Sequence, residues 1–255
     1  MAVGIDAGST ATKIALINEE GELFCHVRPT GWSPREAARE GMRVLLDQTG
    51  YAESQVKKTV ATGYGRIALS FADKAVTEIT CHGRGAAFLV PGADIVIDIG
   101  GQDSKALKIS PEGKVLDFLM NDKCAAGTGR FLQVMAAALG VEVSELADLA
   151  QGKEPVSISN MCTVFAETEV IGLLAQGVDK GSIVAGLHQA IARRVGAMVS
   201  RLGGPAAKIV FTGGVALNAG VQACIAEVLQ APVIVHRHSQ QAGAIGAALL
   251  AREML

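Results

Sequence analysis

A chain of 255 residues, 49% hydrophobic and 19% charged, can bury a real core as one large domain or two small ones. Its net charge of −2 gives no basic footprint for nucleic acid. Asp6, Pro91, Asp94 and Asp98 cut the most apolar stretches well short of the ~20 residues of a membrane span, and the first residues have neither a basic nor a clean apolar leader, so no membrane association, no signal peptide and a cytoplasmic location are expected.

In chain order, residues 3–17 (VGIDAGSTATKIALI) read as an apolar strand, a Gly-containing turn and a second strand, which is a hairpin pattern. Ser33-Pro34 opens an amphipathic helix over 34–49, with Trp32 packed beside Pro34 or held at a partner surface. A strand over 56–61 ends at Ala61-Thr62-Gly63-Tyr64-Gly65, and a helix follows around 83–90. After Pro91-Gly92 a second hairpin spans 95–109 (IVIDIGGQDSKALKI). A strand is expected around 114–120, then helices around 129–139, 164–176 and 181–202. Ile209 to Phe211 form a strand running into Thr212-Gly213-Gly214, and a helix starts near Asn218. A strand over 232–236 would put His236 and His238 on one side, and Gln240-Gln241 open a small-residue helix through Ala251. The pattern is α/β with two lobes: residues 1–91, completed by the C-terminal helix 242–255, and residues 92–241.

The two hairpins align without gaps at an offset of 92: Ile5 with Ile97, Asp6 with Asp98, Gly8 with Gly100, Thr12 with Ser104 and Lys13 with Lys105. No Gly-Lys-Ser/Thr follows the glycines, and a strand rather than a helix comes next, so neither is a Walker loop or a Rossmann turn. Either hairpin alone reads as a tight turn. As a repeat, they read as a pair of phosphate loops, with glycine admitting backbone N–H groups close to an anion and Ser/Thr adding donors. An Asp beside each loop can hold Mg²⁺ through water. Gly213 and Gly214, between strand and helix start, are a third place where backbone meets a ligand.

Five cysteines, an odd number, are spread through the chain. Cys124 and Cys162 each stand before a run of helical pattern, where the helix dipole favours a thiolate. Two structural cysteines are the commoner reading of so wide a spacing. The sharper reading is a [4Fe–4S] cluster on the axis of a homodimer, two thiolates from each chain. Cys81-His82 reads as core, Cys25 and Cys224 have no cofactor context, and Glu167 and Glu169 read as helix surface.

GIDAGSTATK, ATGYGR, DIGGQDSK, NDKCAAGTGRF, CTVFAETEV and TGGVALNAGV, from the first strand to the last helix, resemble the activator components of 2-hydroxyacyl-CoA dehydratases. Their family, of BadF/BadG/BcrA/BcrD type, also holds benzoyl-CoA reductase ATPase subunits. The resemblance implies two RNase-H-like lobes of the acetate kinase/sugar kinase/Hsp70/actin superfamily, with a nucleotide cleft between them. It implies cluster ligation by Cys124 and Cys162, and phosphate loops at Gly8, Ser9, Thr10, Ala11, Thr12 and Lys13 and at Gly100, Gly101, Gln102 and Asp103. Asp6 and Asp98 would lie near Mg²⁺, and Gly213, Gly214 and Gln241 near the adenosine. Gln102 is the first choice to orient the hydrolytic water and Asp103 the second, by analogy with water-positioning glutamines. The expected role is ATP-driven transfer of one electron from a ferredoxin or flavodoxin to an iron–sulfur dehydratase. A small-molecule kinase or an ATP-dependent regulator of the same superfamily would need no cysteines.

Overall fold

The computed structural model describes residues 1–159, 162–203 and 208–255. In chain order its strands and helices are β1 (Ala2–Ala7), β2 (Ala11–Ile17), β3 (Leu23–Pro29), α1 (Pro34–Thr49), β4 (Lys58–Thr62), β5 (Lys74–Ala75), α2 (Glu78–Leu89), β6 (Ile95–Ile99), β7 (Ser104–Ile109) and β8 (Val115–Asn121). There follow α3 (Gly129–Leu139), α4 (Leu146–Ala150), α5 (Thr163–Ala175), α6 (Lys180–Arg201), β9 (Ile209–Thr212), α7 (Ala219–Leu229), β10 (Val233–Ile234) and α8 (Ala242–Arg252).

Two five-stranded sheets form, ordered β3-β2-β1-β4-β5 and β10-β9-β6-β7-β8. Read from its other edge, the second sheet repeats the first strand for strand, so the repeat extends from a pair of hairpins to a duplicated fold. β1 runs antiparallel to β2, with Asp6 opposite Lys13, and parallel to β4. By compactness the chain divides into residues 1–96, 108–116 and 236–255, and residues 97–107 and 117–235.

The first sheet obeys the period of two that a strand imposes. Val3, Ile5 and Ala7 of β1, with Ile14 and Leu16 of β2, point to α1 and its Ala38, Met42, Leu45 and Leu46. Ala2, Ala15 and Ile17 point to the opposite face and pack with Ala244, Ala247, Ala248 and Ala251 of α8. The helix α1 has the start that its sequence signals: Ser33 Oγ accepts from Glu36 N at 3.3 Å and Pro34 fills the first turn, while Gly50 ends it at φ 75°. The residues forming β3 and α4 carry no strong periodic signal, and both elements went unpredicted. α2 starts five residues before its expected position because Thr77 caps it, its hydroxyl accepting from Thr80 N.

Small residues let backbones touch on the α8 face. A Cβ at Gly4 would overlap backbone atoms of Ala244 and Ala248, and one at Gly85 or Gly246 would overlap the facing helix of the α2/α8 pair. Gly246→Ala is expected to cost about 1–3 kcal/mol through overpacking, read as a lower denaturant midpoint.

Trp32 does not pack beside Pro34. It is 105% exposed, and Gly65 lies against Pro34 instead. His236 and His238 fall outside β10, in the turn that follows, with ring centroids 5.6 Å apart. Among the described residues no helix is long and apolar enough to cross a membrane.

Candidate functional site

In the first unit the turn Gly8–Thr10 joins β1 to β2. Ser9 and Thr10 are exposed, while Thr12 is fully buried. Thr30 Oγ1 donates to Gly8 O at 2.7 Å, so its single proton is committed. The 2.9 Å contact between Thr12 and Thr30 hydroxyls therefore has Thr12 as donor. The Thr12 hydroxyl thus braces the turn from below and does not face outward. Thr30 N also donates to Thr10 O at 3.0 Å. No sequence signal marks Thr30, at the end of the unpredicted strand β3. Asp6 Oδ2 pairs with Lys13 Nζ at 3.1 Å, and Gly243 at the start of α8 comes up against the same carboxylate. Gln241, just before α8, keeps a buried Oε1 with no hydrogen-bond partner.

The second unit repeats this construction. Asp98 Oδ2 pairs with Lys105 Nζ at 3.0 Å, and both side chains are 2% exposed. Asp98 Oδ1 accepts from Thr212 Oγ1 at 2.9 Å. Lys105 also reaches Asp103 Oδ2 at 2.9 Å, and Asp103 O closes the turn on Gly100 N at 2.9 Å. Gln102 at the tip is exposed, as is Gly214.

A further duplicated feature escaped the sequence reading. Gly63 after β4 has φ 83° and ψ −180°, and Gly213 after β9 has φ 88° and ψ 176°. A Cβ on either would overlap the backbone after its Asp, Ala7 in one unit and Ile99 in the other, and crowd the Asp Oδ1. Both positions combine a left-handed backbone with no room for a side chain, so only glycine serves. The signal available was the shared Thr-Gly of Thr62-Gly63 and Thr212-Gly213.

Of the cysteines, Cys162 is exposed and Cys124 half-buried. Burial pushes the thiols of Cys25 and Cys81 up to about 12, and raises that of Cys224. Cys162 is the N-cap of α5, its carbonyl accepting from Ala166 N at 2.8 Å. Asn160 and Met161 of the same motif lie outside the described residues. Cys124 is not at a helix start, since a four-residue loop separates it from α3. That loop is held by Asn121 Nδ2 donating to Cys124 O at 2.7 Å and Thr128 Oγ1 to Ala125 O at 2.6 Å. Ala126 N approaches Cys124 Sγ at 3.5 Å, an N–H···S contact within the loop. The first amides of α3 are already used: Gly129 N donates to Gly100 O at 2.9 Å and Arg130 N to Gly101 O at 2.8 Å. Those carbonyls belong to the Gly100–Asp103 turn, so the helix after the Cys124 loop is bolted to that turn.

Glu169 is not idle helix surface. It accepts from both N and Oγ of Ser159, each at 2.8 Å, and so ties α5 to the segment that leads to Cys162. Cys81 and His82 are buried on α2, as a core reading requires. Among the described residues no three His, Cys, Asp or Glu converge as a metal group.

Residues 3–251 match the model of the BadF/BadG/BcrA/BcrD ATPase family. The chain belongs to that family. A 2-hydroxyisocaproyl-CoA dehydratase activator of Clostridioides difficile is 43% identical, over 98% of this chain and 94% of the relative. The crystal structure of Acidaminococcus fermentans (R)-2-hydroxyglutaryl-CoA dehydratase component A superposes with TM-score 0.94 at 42% identity, covering 99% of this chain and 98% of that one. The activator of the 2-hydroxyisocaproyl-CoA dehydratase from Clostridium difficile, with bound ADPNP, gives TM-score 0.93 at 43% identity, with 99% and 94% covered. A ROK family glucokinase from Streptomyces griseus, at TM-score 0.60 and 16% identity over 99% of each chain, shares the fold alone. Both the family and the sugar-kinase-like α/β fold implied by the motifs therefore stand.

Proposed function

We propose that this family member is a cytoplasmic activator that hydrolyses MgATP. In this role it passes one electron from a reduced ferredoxin or flavodoxin to a 2-hydroxyacyl-CoA dehydratase-like iron–sulfur enzyme. The observation that carries the coupling is the pair of hydrogen bonds from Gly129 and Arg130 to Gly100 and Gly101. A phosphate contact that shifts the Gly100–Asp103 turn must shift the start of α3 and the Cys124 loop with it.

Nucleotide binding draws on Gly8, Ser9, Thr10, Ala11 and Lys13, with Thr12 bracing their turn from below, on Gly100, Gly101 and Gln102, and on Gly213, Gly214 and Gln241. The unpartnered Oε1 of Gln241 supports this, since it offers an acceptor for a donor group of the ligand. Asp6 and Asp98 would lie near Mg²⁺ and reach it through water, since Lys13 engages one oxygen of Asp6, and Lys105 and Thr212 engage both of Asp98. Gln102, exposed at the turn tip, orients the attacking water, and Asp103 steadies the turn through Lys105.

A [4Fe–4S] cluster needs four thiolates, and one chain offers Cys124 and Cys162. The donor set is thus half a site, which a second copy related by a two-fold axis completes. When bound, such a cluster supplies a one-electron carrier. Val164, Phe165 and Ile171 on α5 are 68%, 63% and 53% exposed, apolar surface that a homodimer would cover. Anaerobic reconstitution is expected to give roughly two irons per chain and a dimer mass. Cys124→Ser and Cys162→Ser are each expected to lose the iron while keeping the wild-type circular dichroism. An iron-loaded monomer, or either variant with full iron, ends the cluster assignment.

A further inference from the structure

His188 lies on α6, within the second unit, and is 1% exposed. Its Nε2 stands 3.3 Å from Asn218 Nδ2. The Asn218 amide has a settled orientation, because its Oδ1 accepts from Val221 N at 3.0 Å as the N-cap of α7. An amide NH₂ only donates, so Nε2 must accept, and the imidazole is neutral with its proton on Nδ1. Burial pushes its pKa down to about 4, which keeps that form throughout the neutral range. Opposite the ring, Gly220 leaves the space: a Cβ there would sit 2.5 Å from Nδ1 and 2.7 Å from Cε1. The same Asn218 ends the short turn that Gly213 and Gly214 begin, with Asn218 N donating to Val215 O at 2.9 Å.

We infer that His188 is a positioning residue for nucleotide binding, fixing Asn218 and through it the Gly213–Asn218 turn. It touches neither phosphate nor metal in this assignment, and it resides on a helix that none of the phosphate-loop motifs includes. The inference rests on the reading of Gly213 and Gly214 as nucleotide-binding. Losing the Nε2 acceptor leaves the half-buried Asn218 amide with an unmet donor and frees the turn to rotate.

The test uses ADP as the probe and three variants of the full chain. His188→Leu keeps bulk but has no acceptor, and is expected to weaken ADP binding about tenfold and raise the ATP KM by a similar factor, with kcat changed less than twofold. His188→Gln places an acceptor where Nε2 stood and is expected to bind within about threefold of wild type. Asn218→Ser keeps a capping oxygen, but its shorter side chain no longer carries a donor to Nε2, and it is expected to weaken ADP binding as much as His188→Leu does. Nitrogen-15 spectra should show His188 neutral and protonated on Nδ1 at pH 6, and the Asn218 side-chain amide signal should move on adding ADP. If that signal does not move, the turn is not part of the nucleotide site and the underlying reading fails. If it moves while His188→Leu and Asn218→Ser bind ADP as wild type does, or if His188→Gln is as weak as His188→Leu, the inference about His188 is overturned and the turn's role survives.

Discussion

Lys105→Met is expected to cost the protein about 3–5 kcal/mol of stability, the largest effect of any single change outside the hydrophobic core. Lys105 is buried between two carboxylates, 3.0 Å from Asp98 and 2.9 Å from Asp103. Methionine fills the space of the aliphatic stem and removes the charge. Asp98 then stays buried at 1% exposure with its largest compensating charge gone. Thr212 still donates to its Oδ1, but a neutral hydrogen bond does not replace a cation beside a desolvated carboxylate. Lys13→Met, the equivalent change in the first unit, serves as the internal comparison. That pair is more open, Lys13 being 15% exposed against 2% for Lys105, so its loss is expected to be smaller. Urea unfolding of the two variants reads the difference. Equal losses, or a Lys105→Met loss under about 1 kcal/mol, would show that these pairs bear on ligand binding alone and do not hold the turns in place.

The duplication was legible because it rests on short-range facts. A strand, an acidic residue at its end, glycine and a returning strand fix a hairpin locally, and the same letters recur in 3–17 and 95–109. The α1 boundaries were legible for a similar reason, since Ser33, Pro34 and Gly50 act within one turn of the helix. What escaped depends on partners distant in sequence. Thr30 matters only because β3 pairs with β2, bringing its hydroxyl to Gly8 and Thr12. Glu169 looks like solvated helix surface until the preceding segment folds back to place Ser159 on it. Of the two readings of Trp32, packing beside Pro34 fails because Gly65 takes that place and leaves the ring exposed. The strand expected at 232–236 stops at Ile234, before either histidine, where its pairing with β9 ends. The chemistry of the cysteines is partly physical: burial raises the thiols of Cys25, Cys81 and Cys224, and Cys124 and Cys162 sit in loops leading to neighbouring helices.

Acid should expose the buried imidazole of His188 as a change in stability between pH 6.5 and 4. Its folded pKa is about 4 against 6.5 for an ordinary histidine, and burial alone is the cause. Above pH 6.5 both folded and unfolded chains carry it neutral, so its contribution is constant. Between 6.5 and 4 the unfolded chain takes up a proton that the native site refuses. The unfolded state then binds more protons, so stability must fall as pH falls through this window. The full loss is of order 3 kcal/mol, with about 2 kcal/mol of it gone by pH 5. His236 and His238 are also lowered by burial and by Arg237, but they are only half-buried and add a shallower slope of the same sign. Asp73 and Asp179 have lowered pKa values through bonds to Lys58 and Lys153, and their contribution disappears at still lower pH. Urea midpoints for wild type and His188→Gln at pH 7 and pH 5 separate these sources. The wild type should lose stability steeply over that interval and the variant only slightly. Parallel slopes would mean that the ring accepts a proton in place, against the geometry that makes Nε2 an acceptor for Asn218.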